Sequence, residues 1–156
     1  MKTRELQRLW WDWLSTAERL NRSLAEQQAA LTLRDVTRVE AIQPELETML
    51  TRLAEIDQNA VAATKALAED MGLGPTLRSI VAVLSGAEAR QVEALANRLM
   101  VVGENLQGRL DRNRLLIENE LMYVGGSLCV IAKAAQEQEG EYAAAATGPV
   151  LVNQVA

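Results

Sequence analysis

Apolar residues recur along this chain at intervals of three and four, and long stretches keep that interval without interruption. From about Thr3 to Leu31 the positions Leu6, Leu9, Trp13, Ala17, Leu20, Leu24, Gln28 and Leu31 fall on one line, with Gln28 its polar member. An α-helix returns to the same side every 3.6 residues, so this spacing predicts a long amphipathic helix. A break follows at Thr32-Leu33-Arg34-Asp35, where Thr32 and Asp35 have the spacing of a capping box. A second helix then carries Val36, Val39, Ile42, Leu46, Leu50, Leu53, Ile56, Ala60, Thr64 and Leu67. Pro44 lies inside it and lacks the N–H that would bond the carbonyl of Glu40, so a kink or short break is expected there.

The stretch DMGLGPT, residues 70–76, is the clearest interruption, because Gly72 and Gly74 can stop a helix and Pro75 cannot continue one. LRSIVAVL, 77–84, reads as a short apolar helix. Ser85 and Glu88 form a second capping-box pattern, and the longest helix opens behind it, over about 86–138. Its seam is Val92, Leu95, Leu99, Val102, Leu106, Leu110, Asn113, Ile117, Leu121, Val124, Leu128 and Ile131, a coiled-coil-like spacing with two shifts of phase. Gly103 and Gly108 lie off that seam. The expected fold is all-α: an elongated antiparallel bundle of three long helices with one short helix over 1–138, and a flexible C-terminal tail over 139–156.

Length raises the first functional question. At 1.5 Å per residue the long helices span about 43, 50 and 78 Å, so the last would continue past the other two by about 25 Å. The overhang would begin near Leu121 and carry Leu121, Met122, Val124, Leu128, Val130 and Ile131. Such an apolar patch with no partner on its own chain marks an interaction site, unless the pair Gly125-Gly126 bends the helix back onto the bundle. Asn113 sits in the seam where leucine is expected. It either fixes helix register or hydrogen-bonds a bound backbone. Trp10 and Trp13 share the face of Leu6 and Leu9 and read as core, whereas Trp11 projects to the side.

Composition then narrows the chemistry. Among 156 residues there is no histidine, which removes Ser-His-Asp triads, Cys-His pairs and histidine metal sites. The one cysteine, Cys129, cannot form an internal disulfide or a cysteine zinc site, and between Leu128 and Val130 it reads as buried and inert. No phosphate- or dinucleotide-binding glycine motif occurs. Carboxylates such as Glu118 and Glu120 read as a solvated face, not a catalytic pair. No enzyme, cofactor or metal is therefore expected. The net charge of −5 disfavours a nucleic-acid partner. No apolar run approaches the ~18 residues of a membrane span, so no membrane insertion is expected. MKTRELQRLWWDWL does not have the form of a secretory signal, and the expected location is cytoplasmic.

At this point the chain resembles the FlgN-like flagellar export chaperones. EQQAALTLRDVTRVEAIQPELETMLTRL is similar to that family's two helices around a short break holding an aspartate, here Asp35. LANRLMVVGENLQGRLDRNRLLIENELMYVGGSL follows the family's run of leucines, then Asn113, Leu116-Ile117, Leu121 and Tyr123. The ending EYAAAATGPVLVNQVA resembles the family's tyrosine–glycine, small-residue tail, with the spacing after Tyr142 loosened. The resemblance implies an all-helical cytoplasmic chaperone. It would bind hook–filament junction proteins, keep them unassembled and deliver them to the type III export apparatus of the bacterial flagellum. It places cargo contacts in the C-terminal part, where the length argument places the overhang. The candidate partner-binding residues are Leu121, Met122, Val124, Leu128, Ile131 and Tyr142. The alternative is a structural coiled-coil protein that self-associates as a homo-oligomer through its last long helix.

Overall fold

The computed structural model describes residues 2–139, with the side chains of 138 and 139 excepted. Four helices follow one another: α1 (Arg4–Thr32), α2 (Val36–Asp70), α3 (Leu77–Val83) and α4 (Gly86–Glu139), and no strand occurs among the described residues. The chain separates into two compact units, 1–111 and 112–156. The expected tail, with Tyr142, lies outside the described residues.

The first unit is built on α1 and α2. One cluster joins Ala17, Leu20 and Leu24 of α1 to Ile42, Leu46, Met49 and Leu53 of α2 and to Leu106 of α4. A second joins Leu6 and Leu9 to Ile56 and Ala60. Early residues of α1 meet late residues of α2, so these helices are antiparallel. The first part of α4 runs alongside α1 in the same direction. Glu88 meets Thr3, Gly103 faces the Trp13 ring, and Leu106 joins Leu20 and Leu24.

The buried stripes follow the predicted ones with local corrections. On α1, Leu14 is fully buried and Gln27, not Gln28, is the buried amide. On α2, Met49 takes the buried place expected for Leu50, which is exposed along with Val36. The observed steps from Ile42 through Leu46, Met49, Leu53, Ile56 and Ala60 are 4, 3, 4, 3, 4, the regular alternation of a two-helix seam. Trp13 is half-buried and packs against both clusters, and Trp10 packs against the second. Trp11 stays about half exposed. The Arg98 guanidinium lies 5.4 Å from its ring centroid and 3.5 Å from Glu18. At this exposure the ion pair contributes at most about 1 kcal/mol.

Pro44 produces no break, since α2 is continuous from Val36 to Asp70. Pro44 and Glu40 both lie on the exposed side, so the carbonyl freed by proline is on the side of the helix nearest water.

The C-terminal ends of α1 and α2 close with the same backbone device. At the end of α1, Arg34 N–H donates to Leu31 O and Asp35 N–H to Ala30 O, with Arg34 at φ 56°. At the end of α2, Gly72 N–H donates to Glu69 O and Leu73 N–H to Ala68 O, with Gly72 at φ 66°. These are Schellman closures, which satisfy carbonyls that the helix leaves orphaned. The capping box read at Thr32 is not formed: Thr32 ends α1 and its hydroxyl donates to Gln28 O. Asp35 alone caps α2, accepting from Arg38 N–H at 3.1 Å. A Cβ at Gly72 would meet nothing within 4 Å, so only the left-handed backbone resists substitution. Gly72→Ala is expected to cost about 1 kcal/mol in chemical denaturation.

The acid of the second capping-box pattern has a distant partner. One Glu88 oxygen accepts from the Thr3 N–H at 3.1 Å and the Thr3 hydroxyl at 2.6 Å. Gln7 donates to that same hydroxyl at 2.9 Å. Thr3 is fully buried, so this carboxylate ties the start of α1 to the start of α4. Bonds from the Thr3 side chain and backbone hold the Glu88 carboxyl below its ordinary value of 4.5. Depression of the folded-state value means the contribution is complete at neutral pH. It is lost as pH falls from the unfolded value through the lower folded one. Glu88→Ala, which leaves buried Thr3 donors unmet, is expected to cost about 2 kcal/mol. Glu88→Gln, which keeps an acceptor, is expected to cost less and to remove the acid-side loss from the pH–stability profile.

Candidate functional site

The second half of α4 is helical for ordinary local reasons. Leucine, methionine, glutamate and arginine are good helix formers. Side-chain pairs one turn apart support the entry to this stretch: Gln107 with Asp111 at 2.9 Å and Arg114 with Glu118 at 3.1 Å. Against these stand Gly125 and Gly126, which together cost a helix about 2 kcal/mol relative to alanine. A Cβ at either glycine would meet nothing within 4 Å. Nothing in the packing of the described chain therefore requires them. The helix continues through both.

The seam residues change character along α4. Val92, Leu95 and Leu106 are buried. Asn113 is buried as well, at 2% exposure. An amide enclosed within the free chain is not offered to a partner, which favours its register-fixing reading. From Ile117 onward no described side chain is buried. Leu121 is half-buried, and Met122, Tyr123, Val124, Leu128, Val130 and Ile131 are exposed. The predicted set Leu121, Met122, Val124, Leu128 and Ile131 thus lies together on one stretch of helix. Leu115, Tyr123 and Val130 are further exposed apolar residues there. The seam reading passed over Leu115 and Tyr123 because they point to other sides of the helix. The signal for Tyr123 and Val130 is the absence of charge from 121 through 132.

Two further expectations need amendment. Cys129 is exposed, not buried. Its apolar neighbours in sequence point to other faces of the helix and do not enclose it. One 18-residue window of α4 has a mean hydropathy of 1.4, with none of it buried. By length and composition alone, α4 is therefore apolar enough to cross a membrane. A window average tolerates the polar residues that interrupt an apolar run. The uncharged run 121–132 is about 18 Å long, shorter than the ~30 Å hydrocarbon core of a bilayer.

The rest of the surface offers little chemistry. A groove between α1 and α2 is lined by Asp12, Arg19, Glu45 and Arg52 together with hydroxyls. Among the described residues no three carboxylate or thiol side chains converge to hold a metal. What stands out is an all-helical chain with an exposed apolar segment near the end of its last helix, the form of a helical protein-binding module.

Comparison with known families assigns that module. The family model described as FlgN protein matches residues 1–148, and the chain belongs to this family of flagellar export chaperones. No curated protein and no solved structure matches it.

Proposed function

We propose that this protein is a non-enzymatic cytoplasmic chaperone for hook–filament junction proteins, which it holds unassembled and hands to the flagellar type III export apparatus. The observation that carries the reading is the exposed apolar stretch of α4, with Leu121, Val124, Leu128 and Ile131 on one face. Membership of the FlgN family supports the chaperone role in general. Junction proteins as cargo, delivery to the export apparatus and the cytoplasmic location are inferred from the resemblance.

Physically, a subunit that polymerises through apolar surfaces assembles wherever those surfaces are bare. Covering them with an apolar helix removes the driving force for assembly, and releasing them at the export apparatus restores it. A pull-down from flagellated cells with this chain as bait should recover a junction protein. Recovery of the bait's own second copies alone would favour the rival, a self-associating structural bundle.

A further inference from the structure

The side of α4 turned away from its buried seam carries a second pattern. Ala94, Val101, Gly108, Leu115 and Met122 follow one another at seven-residue intervals, and all five are exposed. More than half of Val101, of Leu115 and of Met122 is open to solvent. Seven residues make almost two whole turns, so a helix with a slight left-handed supercoil presents these positions in one line. The buried Val92, Leu95, Leu106 and Asn113 lie on the opposite side. The exposed line also has borders of opposite charge. Glu104, Asp111 and Glu118 run along one border. The other holds Arg98 and Arg112, with no acid between 98 and 119 at that spacing. At 3.6 residues per turn the two borders lie about 50° to either side of the line, and all five charged residues are exposed.

Charge decides which occupant suits this face. An apolar line with one acidic and one basic border is complementary to itself. Two copies packed line to line in parallel bring the acidic border of each against the basic border of the other. Asp111 of one copy then meets Arg112 of the second, and symmetry makes that contact twice. The Asp111 carboxylate is free to turn toward it, since its bond from Gln107 at 2.9 Å is exposed. Antiparallel packing sets like borders together in every register, so that Glu104 or Glu118 opposes Asp111, and like charges across an interface repel. Gly108 stands at the middle of the line, and a Cβ there would meet nothing within 4 Å. Its bare backbone lets two helices approach closely at that point. From Ala94 to Met122 the helix is about 43 Å long, and a third of its circumference covers about 500 Å² on each copy. The total of about 1,000 Å² is at the lower bound of a specific interface, which fits a reversible pair.

We infer that this outer face of α4 is a homodimer interface, along which two copies of the chain pack in parallel with Val101, Gly108 and Leu115 each against its own counterpart. The pairing does not depend on the cargo reading. Leu128 and Ile131 lie on other sides of the helix and stay outside the contact. Parallel packing also sets the two apolar ends of α4 at the same end of the pair.

Sedimentation of the purified full-length chain over a range of concentrations tests this, and a monomer–dimer equilibrium is expected. Leu115 is exposed, so Leu115→Glu should melt within a few degrees of the wild type. It is expected to weaken the dimer by more than about tenfold, because a carboxylate enters the apolar contact from each copy. Asp111→Arg and Arg112→Glu are each expected to weaken it by about tenfold, and an equimolar mixture of the two variants to recover it, since every changed charge then meets its opposite. Direction is read in a Cys129→Ser chain. There, Val101→Cys and Leu115→Cys should each cross-link to its own counterpart under mild oxidation. A chain that stays monomeric at its highest soluble concentration overturns the inference. A mixture of the charge variants that recovers no dimer does the same, as does a dimer that Leu128→Glu dissociates and Leu115→Glu leaves intact. Cross-linking of the Val101→Cys chain to the Leu115→Cys chain, without cross-linking of either to itself, would show antiparallel packing and overturn it as well.

Discussion

Leu20→Ala is expected to lower the stability of the helical unit by about 3 kcal/mol, with a fall of about 10 °C in melting temperature. Leu20 is fully buried, among Ala17 and Leu24 of its own helix, Ile42, Leu46, Met49 and Leu53 of α2, and Leu106 of α4. Three helices fix the walls of that site, so the void left by truncation cannot collapse by moving one of them. Burial lost and cavity formed both count against the folded state. Calorimetry of the two proteins checks the value. A loss below about 1 kcal/mol would mean that the three helices do not share one core at this level.

The opposite balance holds at Leu128. Leu128→Glu is expected to leave helicity and melting temperature nearly unchanged, because the residue is 47% exposed and glutamate is a good helix former. The same substitution is expected to weaken cargo binding by more than about tenfold, since a carboxylate would then enter an apolar contact without a partner. Circular dichroism and a binding titration on one preparation separate the two effects. A core-like fall in thermal stability would place Leu128 in the interior of the free protein.

These contrasts show which features could be read from spacing. The four helices, and the interruption at Gly72 to Pro75, follow from local periodicity and from residues that cannot continue a helix. Which residue of an adjacent pair is buried does not. Met49 in place of Leu50, and Gln27 in place of Gln28, depend on where the neighbouring helices lie. Because α1 meets both α2 and α4, it buries a stripe wider than a single seam, and Leu14 falls within it. The Glu88–Thr3 clamp joins positions 85 residues apart, and local patterning carries no record of it. The left-handed Arg34 was equally hidden, since glycine is the usual signal for that conformation. Pro44 is a case where a correct local rule met a permissive setting, an exposed helix face.

The candidate site was legible in part. An apolar seam that outlasts the other helices pointed to Leu121, Val124, Leu128 and Ile131. The seam does not reveal that Tyr123 is also bare, and the apolar neighbours Leu128 and Val130 suggest a burial of Cys129 that the helix does not provide. Exposure on every side is a property of three dimensions. Its trace in sequence is the long gap between the charges of Glu120 and Lys133.

Hydrogen exchange read by mass spectrometry, on the chain alone and on its complex with a purified hook–filament junction protein, tests the central claim most directly. The account predicts that binding slows exchange in peptides covering 115–132 and leaves α1 and α2 as they were. Slowing confined to α1 and α2, with 115–132 exchanging equally in both states, would contradict it.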